Sequence, residues 1–504
     1  MARDGLPDRI WTRRPPRHLA AVTSGKIESE RAARRFYACA FSSVWPYASR
    51  NDRLLILPVA VIGSASTVAV ALLGCVVSAG AADYSRLGKD LTPVGAERAG
   101  NADGTIPAWS GGLVQPPAGW TPQQGYVDPF PDDKPLFTIN STNVGQYESK
   151  LTKGQAALLR KYPQNFRMNV YPTRRTVGHP QAVNDRVVAQ AGKVSLQDFG
   201  LKDLNGSTTP FPIPGDGLQA IWNHLVRYLG GGIVRAGHSF PVRPNGDFYK
   251  IGFRSQRIYA ANVENVEPNR LFYALGYFTE PATLRGTIFL VHEPVDQVAE
   301  QRSAWIYNSG QRRVRRAPDL AYDGINDGSE GMLTTDQVDG YNGAPDRYDW
   351  KLLGKREIYV PYNSYRLSDK SLKYKDIIRP KSINPDYMRY ELHRVWVVEG
   401  TLKPGQRHVY GKRTFYLDED SWSVLAEDAY DTRGDLWRAA MHGLLQAYDA
   451  QVPFYRFGIY HDLNSGGYLV GGLDNEVKEP IQFNAKARVG DFQPDALRRL
   501  GGTL

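Results

Sequence analysis

Residues Arg270–Thr279 read RLFYALGYFT, and as an extended chain this stretch is apolar on both sides. Leu271, Tyr273, Leu275 and Tyr277 point one way, and Phe272, Ala274 and Phe278 the other. An antiparallel sheet with one wet face alternates apolar and polar residues. Here both faces need a cover. The stretches TIFLV (Thr287–Val291) and RVWVV (Arg394–Val398) behave alike.

Strand-like runs separated by short turns surround this stretch. GDFYKIGFRSQRIYA (Gly246–Ala260) precedes it; RGTIFLVHE (Arg285–Glu293), RSAWIYN (Arg302–Asn308) and RRVRRAP (Arg312–Pro318) follow. After a Gly/Asp-rich loop and a short helix near TTDQVDGY (Thr334–Tyr341), strands resume at WKLLGKREIYV (Trp350–Val360). They continue through YELHRVWVVEG (Tyr390–Gly400), RHVYGKRTFYLD (Arg407–Asp418), SWSVLAEDAYD (Ser421–Asp431) and FYRFGIY (Phe454–Tyr460). Such a succession is an antiparallel meander and not a βα alternation. The 29 Tyr and 49 Gly agree with β-structure rich in turns.

Upstream, NVGQYESKLTKGQAALLRKYP (Asn143–Pro163) reads as one helix ended by proline, NFRMNVYPTRRTV (Asn165–Val177) as a strand, and AVNDRVVAQAGKVSLQDF (Ala182–Phe199) as a helix. These helices and the one that follows can cover one face of the sheet. The other is left to an extended arm, to curling of the sheet on itself, or to an apolar ligand.

The amino-terminal part has a different character. Residues 1–53 are rich in Arg and Pro without lasting periodicity, and are expected to be a non-structural extension from a start assigned too far upstream. Leu54–Val77 runs 24 residues without a charge and leads into SAGAAD, where Ala79 and Ala81 satisfy a small-x-small cleavage rule. Residues 54–82 therefore read as a signal peptide cut after Ala81 or Ala82. The alternatives are an uncleaved anchor and lipidation at Cys75 of LLGC. The first 82 residues hold 11 of the 62 Lys/Arg and 5 of the 52 Asp/Glu, so without them the net charge falls from +10 to +4. A net charge of that size gives no ground for nucleic-acid binding. Both cysteines, Cys39 and Cys75, lie in the same part, leaving the remainder without disulfides or thiolate metal sites. Residues 83–142, full of Gly and Pro, are expected to form an extended arm, and 143–504 the β domain with its helices.

Few motifs carry chemistry. GDGLQA (Gly215–Ala220) has the spacing of a dinucleotide-binding turn, but PFPIP precedes it, and three prolines in five residues cannot be the buried strand such a turn requires. Asp216 and Gly217 read better as the N-cap and first turn of a helix over Gly217–Leu229. His224 on that helix reads as a structural histidine bonded to a loop carbonyl; a catalytic base is the alternative. His292 and Glu293, and likewise His461 and Asp462, alternate on strands and point to opposite faces. No HExxH, HxH or GxSxG occurs, DGINDGSEG (Asp323–Gly331) lacks the twelve-residue calcium order, and LDEDSW (Leu417–Trp422) reads as a hairpin turn. No catalytic residue, metal site or cofactor is assigned. The hairpin RSAWIYNSGQRRVRRAP pairs Trp305 and Tyr307 with Arg312, Arg313, Arg315 and Arg316. That is either an edge strand protected by charge or a basic rim, Arg313 and Arg315 above all, for anionic lipid head groups.

PFPIPGDGLQAIWNHL and LTPVGAERAGNADGTIPAWSGGL (Leu91–Leu113) resemble the proteobacterial domain-of-unknown-function 1329 family over nearly all of 83–504. WIYNSGQRRVRRAP, DGSEGMLTTDQVDGY and RTFYLDEDSWSVLAEDAYDTRGDLW also resemble outer-membrane lipoprotein-sorting proteins of the LolA/LolB-like class. The resemblance implies a mainly β, α+β fold: a large curved antiparallel sheet or half-barrel covered by helices. It also implies a monomeric periplasmic carrier of a lipid-like molecule, working beside an inner-membrane resistance-nodulation-division transporter and an outer-membrane protein. The expected cavity wall is Tyr273, Leu275, Tyr277, Phe289, Trp305, Tyr307, Trp396 and Val398. An envelope hydrolase acting on lipid or glycan with His224 or a buried carboxylate as its base, and a structural partner of an outer-membrane protein docking through the arginine hairpin, are the competing readings.

Overall fold

The computed structural model describes residues 82–504; the expected extension, signal segment and both cysteines lie outside the described residues. Residues 83–135 run mostly without regular structure along the body. Val94 and Ile106 are buried there in two different apolar clusters, and Trp120 and Tyr126 pack edge-on against Tyr448. Strand β1 (Phe137–Ile139) then pairs antiparallel with β2 (Met168–Val170).

Between them the expected single helix is interrupted. Helix α1 (Val144–Tyr147) ends in a 3₁₀ turn, and α2 (Lys153–Lys161) starts afresh behind Thr152. The Thr152 hydroxyl accepts from Gln155 N–H, while the Gln155 side chain accepts from Thr152 N–H, both at 3.0 Å. This reciprocal capping box starts a helix instead of continuing one. Helix α3 (Gln181–Gln190) is also shorter than expected: KVSLQDF is drawn into a hairpin of β3 (Ser195–Gln197) and β4 (Gly200–Lys202), turning at Asp198 with φ 51°.

Helix α4 (Gly217–Val226) starts at Asp216, whose carboxylate accepts from Gln219 N–H at 2.8 Å. Gly217 is required there, because a Cβ would lie 2.7 Å from the backbone of Trp350 and Lys351. The first meander follows: β5 (Gly232–Val242), β6 (Ile251–Tyr259), the short β7 (Val263–Glu264), β8 (Arg270–Glu280), β9 (Ile288–Pro294), β10 (Ser303–Asn308) and β11 (Arg313–Arg316). The second contains β12 (Tyr348–Pro361), helix α5 (Tyr374–Ile377), β13 (Tyr390–Leu402), β14 (Lys412–Asp418), β15 (Val424–Tyr430), β16 (Leu436–Ala447), β17 (Val452–Asp462) and β18 (Tyr468–Leu473). The chain ends through β19 (Gln482–Phe483), β20 (Ala487–Arg488) and helix α6 (Pro494–Gly501).

Among the described residues, 16 strands form one sheet, antiparallel apart from a single β2–β13 bridge. The two meanders join where β18 pairs with β5. β11 lies at one edge and β12 borders β13 at the other, so residues 317–347 must cross the sheet between them. The sheet is open and curls around α4. Ala220 and Ile221 pack with Val398, Phe415 and Leu417 of the second meander, while Trp222 and Val226 pack with Ile233, Tyr259 and Phe272 of the first. The fold is thus mainly β, an open half-barrel of antiparallel strands with helices on its faces.

Candidate functional site: a sheet face under the C-terminal helix

Alternation along β8 sends Phe272 and Ala274 towards α4 and Tyr273, Leu275 and Tyr277 to the opposite face. Register extends that opposite face across two more strands: Leu275 pairs with Leu290, Tyr277 with Ile288, Leu290 with Trp305 and Ile288 with Tyr307. The result is a continuous aromatic and aliphatic surface.

Neither the arm nor α4 covers it. Its cover is the carboxy-terminal segment: Phe492 stacks on Tyr273 (centroids 5.2 Å apart, planes at 22°), and Leu497 of α6 is fully buried in the same cluster. Tyr307 closes so tightly on the last turn that a Cβ on Gly501 would lie 2.2 Å from its ring. The stretch leading into α6 is tied by the β20–β7 pairing, by Asn262 donating to the Ala485 carbonyl at 3.1 Å, by His292 Nε2–H donating to the Phe492 carbonyl at 2.7 Å and by Arg488 pairing with Glu264 at 2.9 Å. Helix α6 itself adds the burial of Leu497, worth about 1.5–3 kcal/mol.

Beside this cover is the β11 edge. Arg313, Arg315 and Arg316 are exposed, Arg316 lies over the Trp305 ring at 5.2 Å, and α6 packs against β11. Helix α6 adds exposed Arg498 and Arg499, with Asp495 pairing Arg498 at 3.8 Å. The edge and the cover together present one cationic surface.

Five of the eight expected wall residues, Tyr273, Leu275, Tyr277, Trp305 and Tyr307, come together here. The other three do not. Phe289 pairs with Gly276 and faces the other side of the sheet, because it is one residue out of phase with Leu290. Trp396 and Val398 belong to the second meander, where Trp396 stacks on Trp422 and Val398 packs with α4. Sequence reading passed over the covering segment, although QPDALRRLGG carries helix signals: Pro at the first position, Asp in the first turn, Arg in the last and Gly after it.

The remaining chemistry-bearing groups are locked in place. His224 is fully buried, with Nδ1 2.9 Å from the Trp422 carbonyl and Nε2 3.0 Å from the Asp339 carbonyl. Burial, helped by the Arg227 guanidinium, lowers its pKa to about 3, so the ring is neutral and its single N–H serves one of these two carbonyls. A base held this way has no access to a substrate. LDEDSW does form the β14–β15 turn, but its acids are buried. Arg175 grips both oxygens of Asp420 (2.9 and 2.6 Å), and Arg394 and Lys355 hold Glu419 (2.6 and 2.9 Å). Asp418 accepts from Tyr362 and Ser421 hydroxyls on one oxygen, and its other oxygen has no partner. His393, Asp418 and Asp420 present ligand-type atoms within 4.8 Å of one another. A cation there would meet Arg175 already seated on Asp420, and a proton on Asp418 relieves the same repulsion.

Residues 138–498 match the family described as protein of unknown function DUF1329. An uncharacterised protein of Pseudomonas aeruginosa is 47% identical over 425 residues, 83% of this chain and 93% of that one. Solved structures with some similarity include a domain assigned to outer-membrane lipoprotein sorting from Vibrio parahaemolyticus (TM-score 0.40, 17% identity, covering 56% of this chain and 98% of that one). A DUF1329 family protein from Desulfovibrio piger (0.38, 14%, 53% and 92%) and a LolA superfamily protein from Nitrosomonas europaea (0.34, 13%, 56% and 100%) are others. Among the described residues no helix is long and apolar enough to cross a membrane. The match over 138–498 and the Pseudomonas relative establish that the chain belongs to the DUF1329 family.

Proposed function

We propose that this protein is a non-enzymatic periplasmic carrier, and that the apolar chain of a lipid-like molecule binds the β8–β10 face when α6 swings away. The observation that carries the reading is the cover itself: a five-residue aromatic and aliphatic face closed by Phe492 and the eight-residue helix α6, which takes no part in the sheet. The sheet interior around α4 is filled by the chain, so cargo enters by displacing a segment, and loss of α6 uncovers the β8–β10 face while leaving the sheet hydrogen bonds intact. The Arg313/Arg315 rim beside it would meet anionic head groups as cargo is collected or delivered. An inner-membrane transporter and an outer-membrane protein are the partners such a carrier would serve.

The test is binding of a fluorescent fatty acid. A cover that competes with cargo lowers apparent affinity by the closed fraction, so Leu497→Asp should bind the probe more tightly than wild type. Leu275→Asp, in the face itself, should abolish binding. Equal probe affinity in wild type and Leu497→Asp, with both folded, would sink the displaceable-cover reading.

A further inference from the structure

Independently of the carrier reading, the sequence holds three Asn-Gly dipeptides, at Asn205, Asn245 and Asn342. A glycine after asparagine lets its peptide nitrogen approach the asparagine side-chain carbon, because no Cβ stands in the way. The covalent chemistry is the same at all three, so the fold decides which of them reacts.

Asn342 is locked. Its Nδ2 donates to the Thr335 and Val338 carbonyls at 3.0 and 2.6 Å, its N–H donates to the Asp336 carbonyl at 2.8 Å, and Gly343 is buried. Asn245 is exposed in the turn between β5 and β6, but its side chain is tied to Asp247: Nδ2 donates to the carboxylate at 2.7 Å, and Oδ1 accepts from the Asp247 N–H at 3.1 Å. Gly246 N–H donates to the Arg243 carbonyl at 2.8 Å, and the Asp247 carboxylate opposes any negative charge that develops beside it.

Asn205 differs on each count. It is exposed, and Gln190 at the end of α3 holds its backbone from both sides: Oε1 accepts from Asn205 N–H at 2.9 Å, and Nε2 donates to the Asn205 carbonyl at 2.8 Å. The Asn205 side chain and the Gly206 N–H have no hydrogen-bond partner among the described residues. Beside them lies a guanidinium. Arg186 of α3 donates to the Ser207 carbonyl at 3.2 Å, a Cβ on Gly206 would lie 3.2 Å from its Nη1, and it has no ion pair among the described residues. We propose that Asn205 is a self-modification site whose reaction Arg186 promotes. The Gly206 nitrogen gives its proton to water and attacks Asn205 Cγ. The new C–N bond closes a succinimide, the Cγ–Nδ2 bond breaks, and the amide leaves as ammonia. Water then opens the ring at either carbonyl, to aspartate or to isoaspartate. Arg186 favours the anionic nitrogen and the oxyanion that follow from it. Isoaspartate adds a backbone carbon two residues before Ser207, whose hydroxyl donates to the Val226 and Arg227 carbonyls at the end of α4 (3.0 and 2.7 Å), so the product loosens that end.

Peptide mapping by mass spectrometry, on the full chain incubated at neutral pH, tests this. Asn205 should convert to acid faster than Asn245, and at least about tenfold faster than Asn342, whose two side-chain hydrogen bonds have to break first. In the urea-unfolded chain the three sites should react alike. Arg186→Gln should slow Asn205 at least about threefold in the folded chain, and Arg186→Lys, which keeps the charge, should restore most of the rate. Neither variant should alter the rate in urea. Asn245 or Asn342 overtaking Asn205 in the folded chain would overturn the site, and an unchanged Asn205 rate in Arg186→Gln would overturn the part given to Arg186.

Discussion

Replacing Asp418 by Asn should stabilise the protein above neutral pH and leave it nearly unchanged in acid. Burial and the neighbouring Asp420 charge raise the Asp418 carboxyl from 3.8 to about 7, against the opposing effects of His393 and of the hydroxyls of Ser421 and Tyr362. A carboxyl whose folded pKa is raised binds its proton more tightly in the folded state. Its contribution is fully present below the unfolded value near 3.9 and is lost as pH rises through the folded value. About three units at 1.36 kcal/mol each sets a ceiling of about 4 kcal/mol on what ionised Asp418 costs above pH 7. Asn keeps the acceptor for Tyr362 and Ser421, and its amide supplies a donor where the second carboxylate oxygen has no partner. Urea unfolding followed by tryptophan fluorescence, from pH 4.5 to 8.5, reads the difference directly. The stability gained by Asp418→Asn should grow with pH and level off above 7, by 1 kcal/mol or more and up to about 4 kcal/mol. A difference that stays flat across that range would refute the buried, proton-holding Asp418.

Three further outcomes are expected. Arg313→Glu/Arg315→Glu should weaken sedimentation with anionic vesicles at least about 30-fold, because each cation near an anionic surface contributes about 1 kcal/mol, and should leave neutral vesicles unaffected. Burial lowers His224 and His461 to about 3 and His179 and His442 to about 4, so each stays neutral when folded. Their contribution is complete above pH 6.5 and is lost as pH falls towards the folded values, so unfolding at pH 5 should take up protons, measurable from the pH dependence of the urea midpoint. Gly217→Ala should destabilise by about 1–3 kcal/mol in urea titration, since its Cβ meets the Trp350–Lys351 backbone at 2.7 Å.

How much of this was legible in the sequence depended on range. The meander was, since each strand carries its own apolar alternation and the turns between strands are local. The breaks at Thr152 and at Asp198 were missed, although a T-x-x-Q capping box stands at Thr152–Gln155 for the first. The ionic interior was beyond reach. Arg175 finds Asp420 across 245 residues, and Lys355 finds Glu419 across 64, so each alone reads as solvated charge on a strand or in a turn.

Face assignment is the sharper lesson. Alternation in RLFYALGYFT holds from Phe272 onward. Leu271 packs in the Phe272 cluster and not with Tyr273, next to the β8–β9 register shift between Arg270 and Phe272. With both faces apolar, alternation cannot say what lies against either. Grouping Tyr273, Leu275 and Tyr277 followed from parity and matches one cluster in the fold. Adding Phe289 required a register between strands, and one residue of phase put it on the far side. Naming the cover required knowing that a segment 200 residues beyond His292 returns to it, and its apolar residues, Val489, Phe492, Leu497 and Leu500 among them, do not say in the sequence which face they meet. The face covered by α6 differs physically from the one closed by α4. Removing α4 would uncover Val398, Phe415 and Leu417 of the second meander together with Ile233, Tyr259 and Phe272 of the first, whereas lifting α6 uncovers the β8–β10 face alone. That asymmetry, more than the apolar character common to both faces, favours the β8–β10 surface as the place where a proposed carrier would take its cargo.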